Sequence, residues 1–134
     1  MKTTLHEGLC LTRHLSVDAA RTITFLGDSL RVYATYQIIS DIEYACRDLL
    51  LAHVDSGWDS VGTAVGLSHV AATPLGARVN ITVRVAEIEG SRVRFEAEVR
   101  DTAEVVARGT HERFCLPVAS LDKRLKAKVA RLAS

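Results

Sequence analysis

The sequence predicts an α+β fold in which one long helix lies against an antiparallel sheet, and three observations carry that expectation. A single segment, residues 37–53, has the apolar period of an amphipathic helix. Four period-two segments follow it, separated by turn residues. No repeat, low-complexity tract or Pro/Gly/Ser linker divides the 134 residues, which are enough for one domain with a core of its own.

In chain order, "GLCLTRHLS" (8–16) alternates Leu9, Leu11, Arg13 and Leu15 and reads as an opening strand. "VDAARTITFLGDSLRVYAT" is irregular, with a short helical turn after Asp18 and a Gly-Asp turn at 27 and 28. In "QIISDIEYACRDLLLAH", Ile38, Ile39, Ile42, Ala45, Cys46, Leu49 and Leu50 form a wide apolar stripe that needs a sheet to cover it. After "DSGWDS", Val61, Thr63, Val65 and Leu67 alternate with Gly62, Ala64, Gly66 and Ser68, a small-residue set that lets another backbone approach. "HVAATP" ends that strand, with Pro74 blocking further pairing and Gly76 allowing the reversal. Val79, Ile81, Val83 and Val85 mark the next strand, and a Glu89-Gly90 hairpin leads to Val93, Phe95, Ala97 and Val99. "VVARGTHERFCL" is the last strand, and 119–134 read as a basic helix with Leu121, Leu125, Val129 and Leu132 on one side. This is the layout of a hotdog domain, a curved sheet wrapping one helix. Its open edges predict pairing of two copies, a homodimer at least.

Composition narrows the function classes. With 48% apolar and 25% charged residues and a net charge of +1, nothing marks a nucleic-acid partner. Cys10, Cys46 and Cys115 are odd in number and lack CxxC spacing, which argues against a disulfide framework or a zinc site and for a reducing cytoplasm. No window approaches the ~20 apolar residues of a membrane span, and the first ten residues lack a signal-peptide core. Small ligands and proteins remain as partners, with neither metal nor cofactor implied.

Several polar residues stand where chemistry needs them, each with a plainer explanation beside it. Glu43 lies at the edge of the apolar stripe, either as a tuned carboxylate or as the i,i+4 partner of Arg47. Thr35 precedes the helix by two residues, as its cap or as a hydroxyl presented where amides favour negative charge. His69 is a base titrating near neutrality or a strand-end histidine held by a hydrogen bond. Arg113 shares a strand face with Gly109 and His111, as a surface charge or an anion anchor.

Together, "YATYQIISDIEYACRDLL", "SVGTAVGLSHVAATPLGARV" and "GTHERF" resemble the fluoroacetyl-CoA thioesterase-like family of hotdog proteins over about residues 30–116. The resemblance implies a catalytic Thr35, Glu43 and His69, with Gly62 and Arg113 binding substrate. It implies hydrolysis of an acyl-CoA or acyl-carrier thioester in a site lined by two subunits, with Glu43 either orienting His69 or attacking the carbonyl. Where the fluoroacetyl-specific member has an aromatic-rich lid before its Thr, this sequence has "TFLGDSLRVYAT", with Phe25 and Tyr33 among Leu, Gly, Asp and Ser. The alternative expectation is a hotdog module that binds acyl-CoA or an acyl carrier without turnover.

Overall fold

The computed structural model describes residues 1–134. Its elements run β1 (Cys10–Ser16), α1 (Thr35–Leu51), β2 (Trp58–His69), β3 (Arg78–Glu89), β4 (Arg92–Arg100), β5 (Val105–Pro117) and α2 (Val118–Leu132), with short 3-10 turns at Ala19–Arg21 and Asp28–Leu30. The five strands form one antiparallel sheet in the order β1-β3-β4-β5-β2, which leaves β1 and β2 as edges.

Period-two patterning builds the covered face. Val79, Ile81, Val83 and Val85 on β3 and Val93, Phe95, Ala97 and Val99 on β4 point inward, and all but Ala97 are almost completely buried. Against them α1 sets Ile38, Ile42, Ala45, Cys46, Leu49 and Leu50, all buried. Each large aliphatic side chain removed from water in this way contributes about 1.5–3 kcal/mol, so the stripe fixes the rotation of α1 and every polar residue beside it.

β2 departs from simple alternation. A bulge between Gly62 and Ala64 leaves Thr63 without a partner in the register. Before it, Ser60 and Gly62 stand on the face of Cys115 and Arg113; after it, Val65, Leu67 and His69 stand opposite His111, Gly109 and Ala107 on that same face. The expected set of Val61, Thr63, Val65 and Leu67 on one side is therefore corrected. The extra residue shifts the phase, and an even-numbered glycine and an odd-numbered histidine both face α1. β5 also comes close here, since a Cβ on Gly109 would fall 2.1 Å from the Gly66 carbonyl oxygen.

The segment before α1 is a clasped hairpin. Ile23 N–H donates to Val32 O and Ala34 N–H to Arg21 O. Asp41 on α1 accepts two bonds from Arg21, at 2.9 and 3.0 Å, and one from the buried Tyr33 hydroxyl. At the hairpin tip Phe25, Leu26 and Leu30 are exposed. Its second arm continues onto the loop after β2, where Tyr33 N–H donates to Thr73 O and Leu75 N–H to Arg31 O. The expectation that Pro74 stops pairing is thus corrected: Pro74 bridges Val32, and its neighbours supply the groups it lacks.

Candidate active site

α1 begins at Thr35, with Ala34 as its N-cap and no side-chain capping bond. The Thr35 hydroxyl instead meets His69 Nδ1 at 2.8 Å. Thr35 is exposed and His69 half-buried, so the pair presents a hydroxyl to solvent with an imidazole behind it. When Thr35 donates, the neutral ring carries its hydrogen on Nε2, which is buried with no partner. Such an unsatisfied group costs about 1–3 kcal/mol.

Eight residues further along α1, about 12 Å at the helical rise, Glu43 faces a different set of residues. Arg47 is bound to Asp59 at 3.1 and 2.7 Å, which removes it as the partner of Glu43. Glu43 makes no hydrogen bond or ion pair within the chain. A Cβ placed on Gly62 would lie 2.8 Å from Glu43 Oε1, 3.2 Å from His111 Cε1 and 3.5 Å from Arg113 Nη1, so three side chains crowd one point that only glycine leaves open. The surrounding cleft, about 550 Å³, is lined by Ser40, Glu43, Tyr44, Arg47, Ser60, Val61, Gly62 and Arg113.

Arg113 is 5% exposed and is an anchored cation rather than a surface charge. Its Nε–H donates to Ser60 Oγ at 2.7 Å, Nη2 to Ser60 O at 2.8 Å, and Nη1 lies 3.2 Å from His111 Nε2. His111 Nδ1 is 2.9 Å from Ala64 O, a pure acceptor, so Nδ1 carries the hydrogen and Nε2 accepts from Arg113. Burial pushes the His111 pKa below its ordinary value, and the Arg113 charge adds to that. A neutral imidazole thus fixes the guanidinium, leaving two of its five N–H groups uncommitted. Burial also raises Cys46 to about 12 and moves Cys115 upward, which keeps both thiols protonated and unreactive.

All five sequence-derived residues face the α1 side of β2 and β5, but they fall into two groups. Thr35 and His69 are joined; Glu43, Gly62 and Arg113 cluster near the Trp58 end; nothing within the chain links His69 to Glu43. Sequence reasoning set His111 on the strand face of Arg113 without giving it a role, and missed Ser60. The period-two face of β5 carried the signal for His111, which alternates with Arg113 and Cys115. No group of three His, Cys, Asp or Glu side chains is arranged to hold a metal ion, and no helix is long and apolar enough to cross a membrane.

Comparison with known proteins places this geometry. Residues 17–119 match the family model described as fluoroacetyl-CoA-specific thioesterase. The fluoroacetyl-CoA thioesterase of Streptantibioticus cattleyicolor is 30% identical over 96% of this chain and 97% of its own length. A solved structure of a variant of the fluoroacetyl-CoA-specific thioesterase superposes with a TM-score of 0.84 at 26% identity, covering 92% of this chain and 97% of that one. A hot-dog-like protein of Thermanaerovibrio acidaminovorans gives 0.85 at 25% identity, covering 91% of each. The architecture is the hotdog fold.

Proposed function

The chain belongs to the fluoroacetyl-CoA-specific thioesterase family and is a thioester hydrolase acting on acyl-CoA, and from that premise we propose that its active site is assembled from two copies: Thr35 and His69 of one, Glu43, Gly62 and Arg113 of the other. The substrate class is supported by related structures holding fluoroacetate with CoA, and acetyl-CoA. The free thiols fit action in a reducing cytoplasm.

The exposed edge of β2 carries this reading. From Gly62 to Ser68 every residue but Leu67 is exposed, whereas from Trp58 to Val61 Ser60 is buried and the others are half-buried. An unpaired edge of this length invites another strand. Antiparallel pairing of two such edges about a two-fold axis at Gly66, with Thr63 left out of register by the bulge, sets Gly62 of one copy opposite His69 of the other on the α1 face. The two half-sites then meet twice in each dimer.

In that site the thioester carbonyl carbon sits before the unpaired Glu43 carboxylate, which delivers an oxygen by direct attack or through a held water. The Gly62 amide, unobstructed by a side chain, and the remaining Arg113 N–H groups receive the charge growing on the carbonyl oxygen. As the C–S bond breaks, Thr35 passes its hydroxyl proton to the leaving thiolate, and the Thr35–His69 pair regains a proton from the water that completes the acid. Water completes the acid, so the products are a carboxylic acid and free CoA thiol.

Complementation tests the assembly. Glu43→Gln and His69→Ala are each expected to be inactive. Mixed in equal amounts and allowed to exchange subunits, they should recover about a quarter of wild-type activity, because half the dimers are mixed and each carries one intact site. Retention of wild-type rates by both single variants would refute the residues, and no recovery on mixing would refute their division between copies.

A further inference from the structure

We propose that the apolar stripe of α2 covers the Thr22–Tyr33 hairpin and the Val70–Leu75 loop of the second copy, closing over that copy's Thr35–His69 pair. This rests on the β2-to-β2 association proposed above. It adds an element that lies almost entirely beyond the family match, which stops at residue 119.

α2 and its own hairpin stand at opposite ends of β2. Pro117 pairs with Trp58, and Val118 N–H donates to Gly57 O at 2.8 Å, so the helix leaves the sheet at the Trp58 end. The hairpin joins the loop that follows His69. Eleven strand steps, about 36 Å, separate those ends, whereas a 15-residue helix reaches about 22 Å. α2 cannot cover its own hairpin. In the two-fold arrangement, however, Trp58 lies only about 13 Å of strand beyond the Gly62 that meets the other copy's His69, well within reach.

The surfaces that meet are both apolar and uncovered. Val118, Leu121, Leu125, Val129 and Leu132 form the α2 stripe, and all are exposed. Phe25, Leu26, Leu30, Val70 and Leu75 form the facing patch, also exposed. Their charges are complementary at the tip: α2 carries Lys123, Arg124, Lys126, Lys128 and Arg131 against Asp122, whereas the hairpin from Thr22 to Leu30 has Asp28 and no basic residue, and Arg31 in its second arm is turned back onto Thr22 Oγ1 and Ala19 O. Two α2 helices packed on each other would instead bring like charges together. The second copy's hairpin is thus the occupant that satisfies both the stripe and its basic flanks.

Cross-linking between labelled subunits decides the matter. In a Cys10→Ser background, which removes the exposed thiol, a tagged Phe25→Cys chain is mixed with an untagged Leu125→Cys chain and oxidised, with Lys128→Cys as the off-stripe control. The expected product is a tagged-untagged covalent dimer with Leu125→Cys and little with Lys128→Cys. Equal yields from both, or no cross-link while sedimentation still reports a dimer, overturns the α2 assignment and leaves the β2 dimer standing. A monomer in sedimentation overturns the β2 dimer itself and the α2 assignment with it. As a second readout, Leu125→Asp should keep the dimer while hydrogen exchange of residues 22–33 rises to that of a chain truncated after Pro117; unchanged exchange overturns the proposal. Leu125-dependent binding to anionic lipid vesicles without the cross-link also overturns it, in favour of a membrane surface as occupant.

Discussion

At the Trp58 end of β2, Arg113 is 5% exposed and held by three hydrogen bonds to Ser60 and His111, with His111 itself tied to a main-chain carbonyl. At the His69 end, Thr35 is exposed and makes one side-chain hydrogen bond. One half of the site is set into the layer between helix and sheet; the other stands at its rim beside an exposed hairpin. The difference fits what the proposed mechanism asks of each half. A preorganised charge stabilises a transition state because it does not reorient when the charge develops, whereas a hydroxyl that hands protons to and from substrate has to be reached.

Substitutions that strike each end separately test this division. The largest effect is expected for Glu43→Gln, which keeps shape and removes the carboxylate proposed to deliver the oxygen: a fall in kcat of about 10²–10⁴-fold, measured by thiol release from acyl-CoA, with an unaltered circular dichroism spectrum. Gly62→Ala should follow, since its methyl would stand 2.8 Å from Glu43 Oε1. A loss of about 10²-fold in kcat/KM with little change in melting temperature would mark an obstructed site rather than a damaged fold. Arg113→Lys cannot reproduce the fork to Ser60 and His111, and on the order of 2 kcal/mol of stability should be lost in denaturant unfolding.

Hence so much of the fold was legible in advance. Period two on β3 and β4 and period 3.6 on α1 reflect which side chains leave water, and burial leaves its mark at every second, third or fourth residue. Thr35, Glu43, His69, Gly62 and Arg113 could be singled out because polar or glycine residues interrupted those patterns or matched family motifs. The phase shift at Thr63 was not legible, because a bulge changes hydrogen-bond geometry without requiring any particular residue there. Nor was the Arg47–Asp59 pair, whose partners meet only through the packing of α1 on β2. The helix wheel offered Arg47 to Glu43; the sheet took it away.

The buried end is also where pH should act. The His111 pKa is lowered on folding, so between its ordinary value of 6.5 and the lower folded value the unfolded chain binds more protons than the native one. Stability is therefore full above pH 6.5 and falls as the pH drops through that window. Thermal melts at pH 7 and pH 5 should show it, and His111→Gln should flatten the slope. The smallest effect belongs to the rim: Thr35→Ser keeps the hydroxyl against His69 and should change kcat by only a few-fold, whereas Thr35→Ala should cost about 10-fold or more. Equal losses for both would mean that the methyl, and so packing at the rim, governs that end.

The phase shift in β2 makes the strand sensitive to length as well as to composition. Gly62 and His69 are seven residues apart, an odd spacing that strict alternation would set on opposite faces. Inserting one more residue after Val65 would leave every proposed catalytic side chain in the sequence, yet would turn Leu67 and His69 toward the opposite face of the sheet from Gly62. Along these few residues the phase of the strand is itself a requirement of the proposed site, and a one-codon insertion there is equivalent to losing the histidine, whereas deleting the bulged Thr63 keeps Gly62 and His69 on one face.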